Sequence, residues 1–152
     1  MLELLDIEQK YFQGELPVDV LKNLNFAINK PKSVGIIGPS GSGKTSLLNI
    51  IGLIEKPKFG SYFFKNSNCL DFSNTEKTEF RKKNIGYIFQ NNQLLEDFNV
   101  QENVALPLIL NGESYKNSCK KALNFLKLFG LENRMSFKPG LLSGGEQQRV
   151  AV

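Results

Sequence analysis

One eight-residue segment constrains this chain more than any other feature: Gly38-Pro39-Ser40-Gly41-Ser42-Gly43-Lys44-Thr45. It fits the pattern of a glycine, four residues and then Gly-Lys-Ser/Thr, which forms a phosphate-binding loop in many proteins. Glycines let the backbone turn tightly and bring its N–H groups around phosphate oxygens. A helix that begins near Gly43 would direct the positive end of its dipole at the same anion. Lys44 would then reach the β- and γ-phosphates of a nucleotide, and the Thr45 hydroxyl would bind Mg²⁺.

The residues around this loop favour nucleotide binding over a purely structural glycine turn. The apolar run 33–37 precedes the loop and is typical of a buried parallel strand. A helix is predicted after the loop, ending at Pro57, with one apolar face made by Leu47, Leu48, Ile51 and Ile54. Strand, loop and helix therefore follow in the order that the phosphate-binding mechanism requires.

Alternating strands and helices predict an α/β fold for the whole chain. Apolar or alternating runs predict further strands at residues 2–7, 20–28, 60–64 and 85–89, with a turn at 13–17 between the first two. A short polar helix is expected at 75–82, capped by Ser73 or Asn74. A second amphipathic helix is expected from Ser114 to Phe129, and Gly130 is expected to close it.

Composition excludes several classes of protein. With 41% hydrophobic and 22% charged residues the chain is globular rather than disordered. No apolar run approaches the roughly 20 residues that cross a bilayer, and the N-terminus does not resemble a secretory signal. The net charge is +4, but the lysines are scattered and the densest basic cluster is only 81–83. We therefore expect a solvated basic surface, no nucleic-acid partner and a cytosolic protein that can dock onto a membrane protein.

A second motif narrows the class of nucleotide-binding protein: Leu142-Ser143-Gly144-Gly145-Glu146-Gln147-Gln148-Arg149. This string resembles the signature motif of ATP-binding-cassette proteins, and it lies at the distance from the phosphate loop that the family shows. Physically it is another helix start, with a hydroxyl from Ser143 and backbone N–H groups from Gly144 and Gly145. In the family this element closes over the ATP that a second subunit holds, so the resemblance implies a head-to-tail dimer.

The resemblance covers residues 2–152 and implies a fold. It implies one partial ATP-binding domain over 1–152, of the P-loop NTPase type. Such a domain has an N-terminal antiparallel β subdomain, a RecA-like core and a helical subdomain. The Q-loop and helical subdomain are expected at about 85–142, and the signature motif at 142–149.

The resemblance also implies roles for residues outside the two motifs, with ATP and Mg²⁺ as cofactors. Gln90 matches the family's Q-loop glutamine, which contacts Mg²⁺ and the attacking water. Ser46 extends the nucleotide-binding set beyond Thr45. Tyr11 matches the aromatic residue that stacks on adenine; the alternatives are that Tyr11 is a buried strand aromatic, or that Phe12 takes this part. The segment 98–110 is expected to contact a coupling helix of the membrane subunits, or else simply to pack within the helical subdomain.

Within the family the likeness is greatest to the ATP-binding subunits of lipoprotein-releasing systems, carried by residues 90–107 and by the early Gln13-Gly14 turn. It implies a peripheral protein at the cytoplasmic face of the bacterial inner membrane, with integral membrane permeases as partners. Alternatives are a macrolide or peptide exporter, a cell-division complex, or a binding module without hydrolysis. A cassette protein that acts on DNA or ribosomes is a further alternative.

The family's remaining hydrolytic residues do not appear in this sequence. Its Walker B aspartate, adjoining glutamate and switch histidine would follow the signature motif, whereas only residues 150–152 follow Arg149 here and the chain contains no histidine. We expect a truncated protein that hydrolyses little ATP alone, with 34–37 beside an unpaired sheet edge.

Overall fold

The computed structural model describes all 152 residues and divides them into two units, Met1–Gly86 and Tyr87–Val152. The first unit contains every strand and the phosphate loop, and the second unit is helical.

The first unit contains an antiparallel sheet, as the family resemblance implies for the N-terminal part. The first two strands make a long hairpin that turns at Gly14 and Glu15, within the predicted turn. The four strands are β1 Leu2–Gln13, β2 Leu16–Ile28, β3 Phe59–Phe64 and β4 Ser67–Asn68. They lie in the order β2-β1-β3-β4, so β1 is paired along both edges.

Helix α1 (Lys44–Ile51) follows the phosphate loop and packs on this sheet. Leu47 and Ile50 are buried in one core cluster whose sheet members include Leu4, Ile7, Leu21 and Tyr62. The predicted helix face is wrong at Leu48 and Ile54, which are exposed, and Ile50 takes their place in the core.

The helix also ends earlier than predicted, at Ile51 rather than at Pro57. The N–H groups of Leu53 and Ile54 turn back to the carbonyls of Ile50 and Asn49, at 3.0 and 2.9 Å. These two bonds satisfy the last carbonyls of the helix in a Schellman arrangement, so a local turn stops the helix before proline can do so.

Two predicted parallel strands, 33–37 and 85–89, are wrong. Neither segment belongs to a strand, and the four strands of the chain pair only with one another. Ile37 is 94% exposed and Ile88 is 57% exposed, although both were expected in a buried sheet. An apolar run reports a tendency towards burial, but a strand also needs a neighbouring strand for its backbone hydrogen bonds, and none in this chain supplies them.

Each of the other α-helices begins at a residue whose side chain caps it. Helix α2 (Asn74–Asn84) is capped by Ser73, which decides between the two expected caps. The second unit contains α3 (Val100–Leu110), α4 (Tyr115–Leu128) and α5 (Gly144–Ala151). The helix expected from Ser114 is α4, and the structure shows that Ser114 is its cap. The N–H of Gly130 closes it, as predicted, on the carbonyl of Lys127 at 3.1 Å. None of these helices combines the length and apolar character that would let it span a membrane.

Gly60 is the position in the sheet with the least tolerance for a side chain. Its φ is +103°, and a Cβ there would lie 2.6 and 2.7 Å from the carbonyl oxygens of Leu5 and Asp6. We expect Gly60→Ala to lower the free energy of unfolding by about 3 kcal/mol or more, because strain and a backbone clash add. Gly14→Ala is the control, since it has φ +66° but open space around it, and should cost about 1 kcal/mol. Urea unfolding followed by circular dichroism measures both; equal losses would contradict the clash.

Candidate functional site

The phosphate loop is anchored at its end by Gly43, the residue before helix α1. Its φ is +85°, and a Cβ there would lie 2.9 Å from the Val20 carbonyl oxygen and 2.8 Å from Leu21 Cδ2. Only glycine allows this backbone to approach strand β2 so closely. The residues before it, 38–42, are exposed to solvent, so the loop is open on its outer side.

The start of α1 lacks a side-chain cap, unlike the other four α-helices. Those helices are capped by the side chains of Ser73, Asn99, Ser114 and Ser143. The first N–H groups of a helix have no partner within the helix and need an acceptor from elsewhere. An uncapped helix start in an exposed glycine-rich loop is therefore suited to a phosphate group.

Lys44, the first residue of α1, folds back over the loop. Its Nζ donates hydrogen bonds to the carbonyl oxygens of Gly38 at 2.9 Å and Pro39 at 2.6 Å, and lies 3.5 Å from Ser42 Oγ. The ammonium group is thus held among oxygen acceptors beside the uncapped helix start. Phosphate oxygens of a nucleotide could replace these carbonyls as stronger, charged acceptors.

The residues after Lys44 provide two hydroxyl groups in the first turn of α1. Thr45 is exposed, so its hydroxyl is accessible to a hydrated metal ion. Mg²⁺ keeps several waters and takes phosphate oxygens as ligands, so one hydroxyl beside the phosphates fits its needs without a cluster of acidic residues. Ser46 instead lies 3.0 Å from the Tyr11 hydroxyl.

Tyr11 lies on β1 and reaches across to α1. Tyr11 is 39% exposed, so the alternative of a buried strand aromatic is wrong. Its hydroxyl donates to the Glu55 carboxylate at 2.8 Å as well as approaching Ser46. Phe12 is 70% exposed, and neighbouring strand residues project to opposite faces, so Phe12 is turned away from the helix that Tyr11 touches. Sequence reasoning missed Glu55, because no local pattern marks a contact between residues 44 positions apart.

Gln90 lies in the second unit, exposed in a turn rather than at the end of a strand. The backbone just beyond it is unusual, with positive φ at Asn92 and Gln93. The prediction that a strand presents Gln90 is therefore wrong, and its role in metal binding stays a prediction.

The predicted signature motif forms the start of α5. Leu142 is buried and ties the preceding loop to the helical core, while Ser143, Gly144 and Gly145 are exposed. Ser143 caps the helix by accepting a hydrogen bond from the Glu146 N–H at 3.3 Å.

The side chains of Glu146 and Gln147 form hydrogen bonds with the backbone of the signature loop and of the residues before it. Glu146 Oε2 accepts from the Ser143 N–H at 2.8 Å, and its Oε1 accepts from Arg134 Nε at 3.1 Å. These bonds lower the pKa of Glu146 to about 2, first through the Ser143 N–H and then through Arg134. Gln147 donates to the carbonyls of Pro139 and Leu142 at 3.1 and 3.3 Å. The exposed turn of the motif is thus fixed by its own residues.

Comparison with known proteins assigns the family. The sequence profile described as ABC transporter matches residues 21–152. The lipoprotein-releasing system ATP-binding protein LolD of Hyphomonas neptunium is 40% identical over 152 residues, which are 100% of this chain and 67% of that protein. LolD of Buchnera aphidicola subsp. Acyrthosiphon pisum is 39% identical with the same coverage of both proteins. The chain therefore belongs to the ABC transporter family, and it spans about two thirds of the length of these relatives.

A solved structure shows that the fold agrees as well. The dimeric post-hydrolysis state of the ATP-binding cassette MJ0796, bound to ADP and Pi, superposes with a TM-score of 0.92 at 41% identity. That match covers 99% of this chain and 67% of the other. The predicted fold class, an ATP-binding-cassette domain with an antiparallel N-terminal sheet, is confirmed.

The pKa of Glu146 tests the geometry of the signature loop. We expect Arg134→Ala to raise this pKa from about 2 towards the ordinary 4.5, but not fully, because the Ser143 N–H remains. The control Lys116→Ala removes an equal charge at an exposed site on α4 and should leave the pKa unchanged. Carboxyl chemical shifts followed by NMR during an acid titration measure both variants.

The pKa of Glu146 is lower in the folded chain than in the unfolded chain. The stabilisation that this lowered pKa reflects is therefore present above pH 4.5 and is lost as pH falls towards 2. An unchanged pKa in Arg134→Ala would contradict the arrangement.

Proposed function

We propose that this chain is the ATP-binding part of a membrane transporter and that it binds ATP with Mg²⁺ at the phosphate loop. The observation that carries the proposal is the combination of an uncapped start of α1 with Lys44 held over it. The two features converge on one exposed loop, where a helix dipole, free N–H groups and an ammonium charge all favour a polyphosphate.

Each loop residue then has a distinct part in holding the nucleotide. Residues 38–43 wrap around the phosphates and offer the backbone N–H groups that all of them except Pro39 possess. Lys44 contacts the β- and γ-phosphates, and Thr45 would hold Mg²⁺. For Gln90 we propose the role of the family's Q-loop glutamine, which would contact Mg²⁺ and the attacking water. Tyr11, whose exposed ring lies next to the first turn of α1, stacks on the adenine base.

The signature residues Leu142, Ser143, Gly144, Gly145, Glu146 and Gln147 act on the nucleotide of a second ATP-binding subunit. Support comes from the exposure of Ser143 and the two glycines, and from the hydrogen bonds of the Glu146 and Gln147 side chains that fix the loop. The structural relative MJ0796 is described as dimeric, which agrees with a head-to-tail pair. ATP binding would close such a dimer and hydrolysis would reopen it.

For the transported substrate we propose lipoproteins released from the inner membrane. The relatives that are 40% and 39% identical are both lipoprotein-releasing system ATP-binding proteins. The whole protein would lie at the cytoplasmic face of that membrane, bound to integral permease subunits, with residues 98–110 as the contact for a coupling helix.

Lys44→Ala tests nucleotide binding directly. We expect the dissociation constant for Mg·ATP to rise roughly a hundredfold or more, since two charge-assisted hydrogen bonds of about 1.5–3 kcal/mol each are lost. Lys30→Ala removes an equal charge from an exposed position and is the control. Calorimetric titration of both purified variants gives the two constants. Equal affinities would refute binding through the phosphate loop.

A cellular test separates the lipoprotein proposal from its alternatives. Replacing Lys44 by alanine in the chromosomal gene should leave lipoproteins in the inner membrane, because the release step loses its energy source. Fractionation of the two membranes after metabolic lipid labelling measures this. Normal lipoprotein sorting combined with macrolide sensitivity or filamentous cells would instead assign the protein to drug export or to cell division. Normal behaviour in all three respects would favour a binding module without hydrolysis.

A further inference from the structure

The carboxylate of Glu55 joins the sheet to the phosphate-loop helix. Glu55 is half-buried in the segment between α1 and β3. One of its oxygens accepts a hydrogen bond from Gln9 Nε2, and the other accepts from the Tyr11 hydroxyl at 2.8 Å. Gln9 and Tyr11 lie two residues apart on β1, so both side chains share a face of the strand.

Gln9 gives this carboxylate a rigid support. Its side chain is only 3% exposed, which is unusual for glutamine. Its Oε1 accepts a hydrogen bond from the Lys58 N–H at 3.1 Å, so the amide is bonded at both ends. Glu55 is therefore held by a buried group that cannot turn away without losing hydrogen bonds.

Tyr11 is fixed at both ends of its side chain as a result. Its backbone pairs with Val18 of β2, and its hydroxyl lies between Glu55 and Ser46 Oγ. Ser46 is in the first turn of α1, two positions after Lys44. The phenol ring keeps an exposed surface while its position relative to the phosphate loop is set by these contacts.

We propose that Glu55, supported by Gln9, is a positioning residue for recognition of the nucleotide base. It holds the Tyr11 ring next to the phosphate-loop helix, so that the ring is already placed to stack on a purine whose phosphates the loop binds. This inference rests on the proposed function, in which Tyr11 stacks on adenine. Without Glu55 the ring gains rotational freedom, and nucleotide binding must supply the cost of ordering it.

The negative charge of Glu55 lets an experiment distinguish ring positioning from a purely electrostatic effect on binding. A carboxylate near a polyphosphate repels it, so removal of the charge alone would strengthen binding of every polyphosphate. Loss of ring positioning weakens binding only where a base is present. The two effects therefore have opposite signs for ATP, and tripolyphosphate reports the electrostatic effect alone.

The experiment compares Mg·ATP with Mg·tripolyphosphate by calorimetric titration of the purified chain and its variants. For Glu55→Ala we expect ATP to bind about three- to tenfold more weakly, the equivalent of one side chain that must be ordered, and tripolyphosphate to bind as well as before or better. Tyr11→Phe should show the same selective loss, because it keeps the ring and removes the hydroxyl. Tyr11→Phe also tests the proposal if Glu55→Ala does not fold, because it removes only the exposed hydroxyl oxygen. Glu15→Ala, in the exposed hairpin turn, is the charge control and should affect neither ligand.

Several results would overturn the inference, and each identifies what failed. Equal weakening of both ligands in Glu55→Ala and Tyr11→Phe would mean that these groups only support the loop. Unchanged ATP affinity in both variants, with a clear loss in Tyr11→Ala, would leave stacking intact and remove the positioning role. Unchanged ATP affinity in Tyr11→Ala as well would refute stacking itself, while a loss in Lys44→Ala would still support ATP binding by the loop.

Discussion

The close approach of Gly43 to the backbone of β2 determines where the phosphate-loop helix begins. A glycine with positive φ lies here against the carbonyl of Val20, where any side chain would collide. From that fixed point α1 runs over the sheet and buries Leu47 and Ile50, each contributing about 1.5–3 kcal/mol of transfer free energy. The apolar contacts hold the body of the helix, whereas Thr45 in its first turn and the loop residues 38–42 before it are exposed. Fixed and accessible in this way, the helix start can bind an anion without first being ordered.

Strand β1 connects the core to the site because its side-chain pattern shifts along its length. Leu4 and Ile7 are both fully buried although they are an odd number of residues apart. The register shift between them, with Asp6 at φ +51°, is a bulge that returns the strand to the same face. From Ile7 the face continues through Gln9 to Tyr11 in regular steps of two. One face of a single strand thus supplies core residues first, then a buried polar support, and finally an exposed ring beside α1.

Local signals in the sequence predicted much of this arrangement, and long-range contacts account for what they missed. The phosphate loop and the helix starts at Ser73, Ser114 and Ser143 are set by residues within a few positions of one another. The segments 33–37 and 85–89 are apolar, but they could form strands only by pairing with a neighbouring strand. The four strands of this chain pair only with one another. Glu55 was missed for a related reason: its partners Gln9 and Tyr11 come from a strand more than 40 residues earlier. A sequence pattern indicates which local structure a segment prefers, whereas the residues that it contacts far along the chain are determined only by the folded structure.

The two glycine-rich helix starts differ in a way that bears on the proposed dimer. The start of α1 has no cap and has an ammonium group above it, so it can bind an anion within one subunit. At α5 the third N–H of the helix is already bonded to Ser143, and the adjacent Glu146 carboxylate would repel a phosphate. Arg134 offsets that charge, and the first N–H groups, those of Gly144 and Gly145, have no partner within the helix and face solvent. The Glu146 charge would weaken the binding of free phosphate at this helix start. In the proposed pair of subunits the phosphate would instead be held by α1 of one subunit, and α5 of the other would contact it.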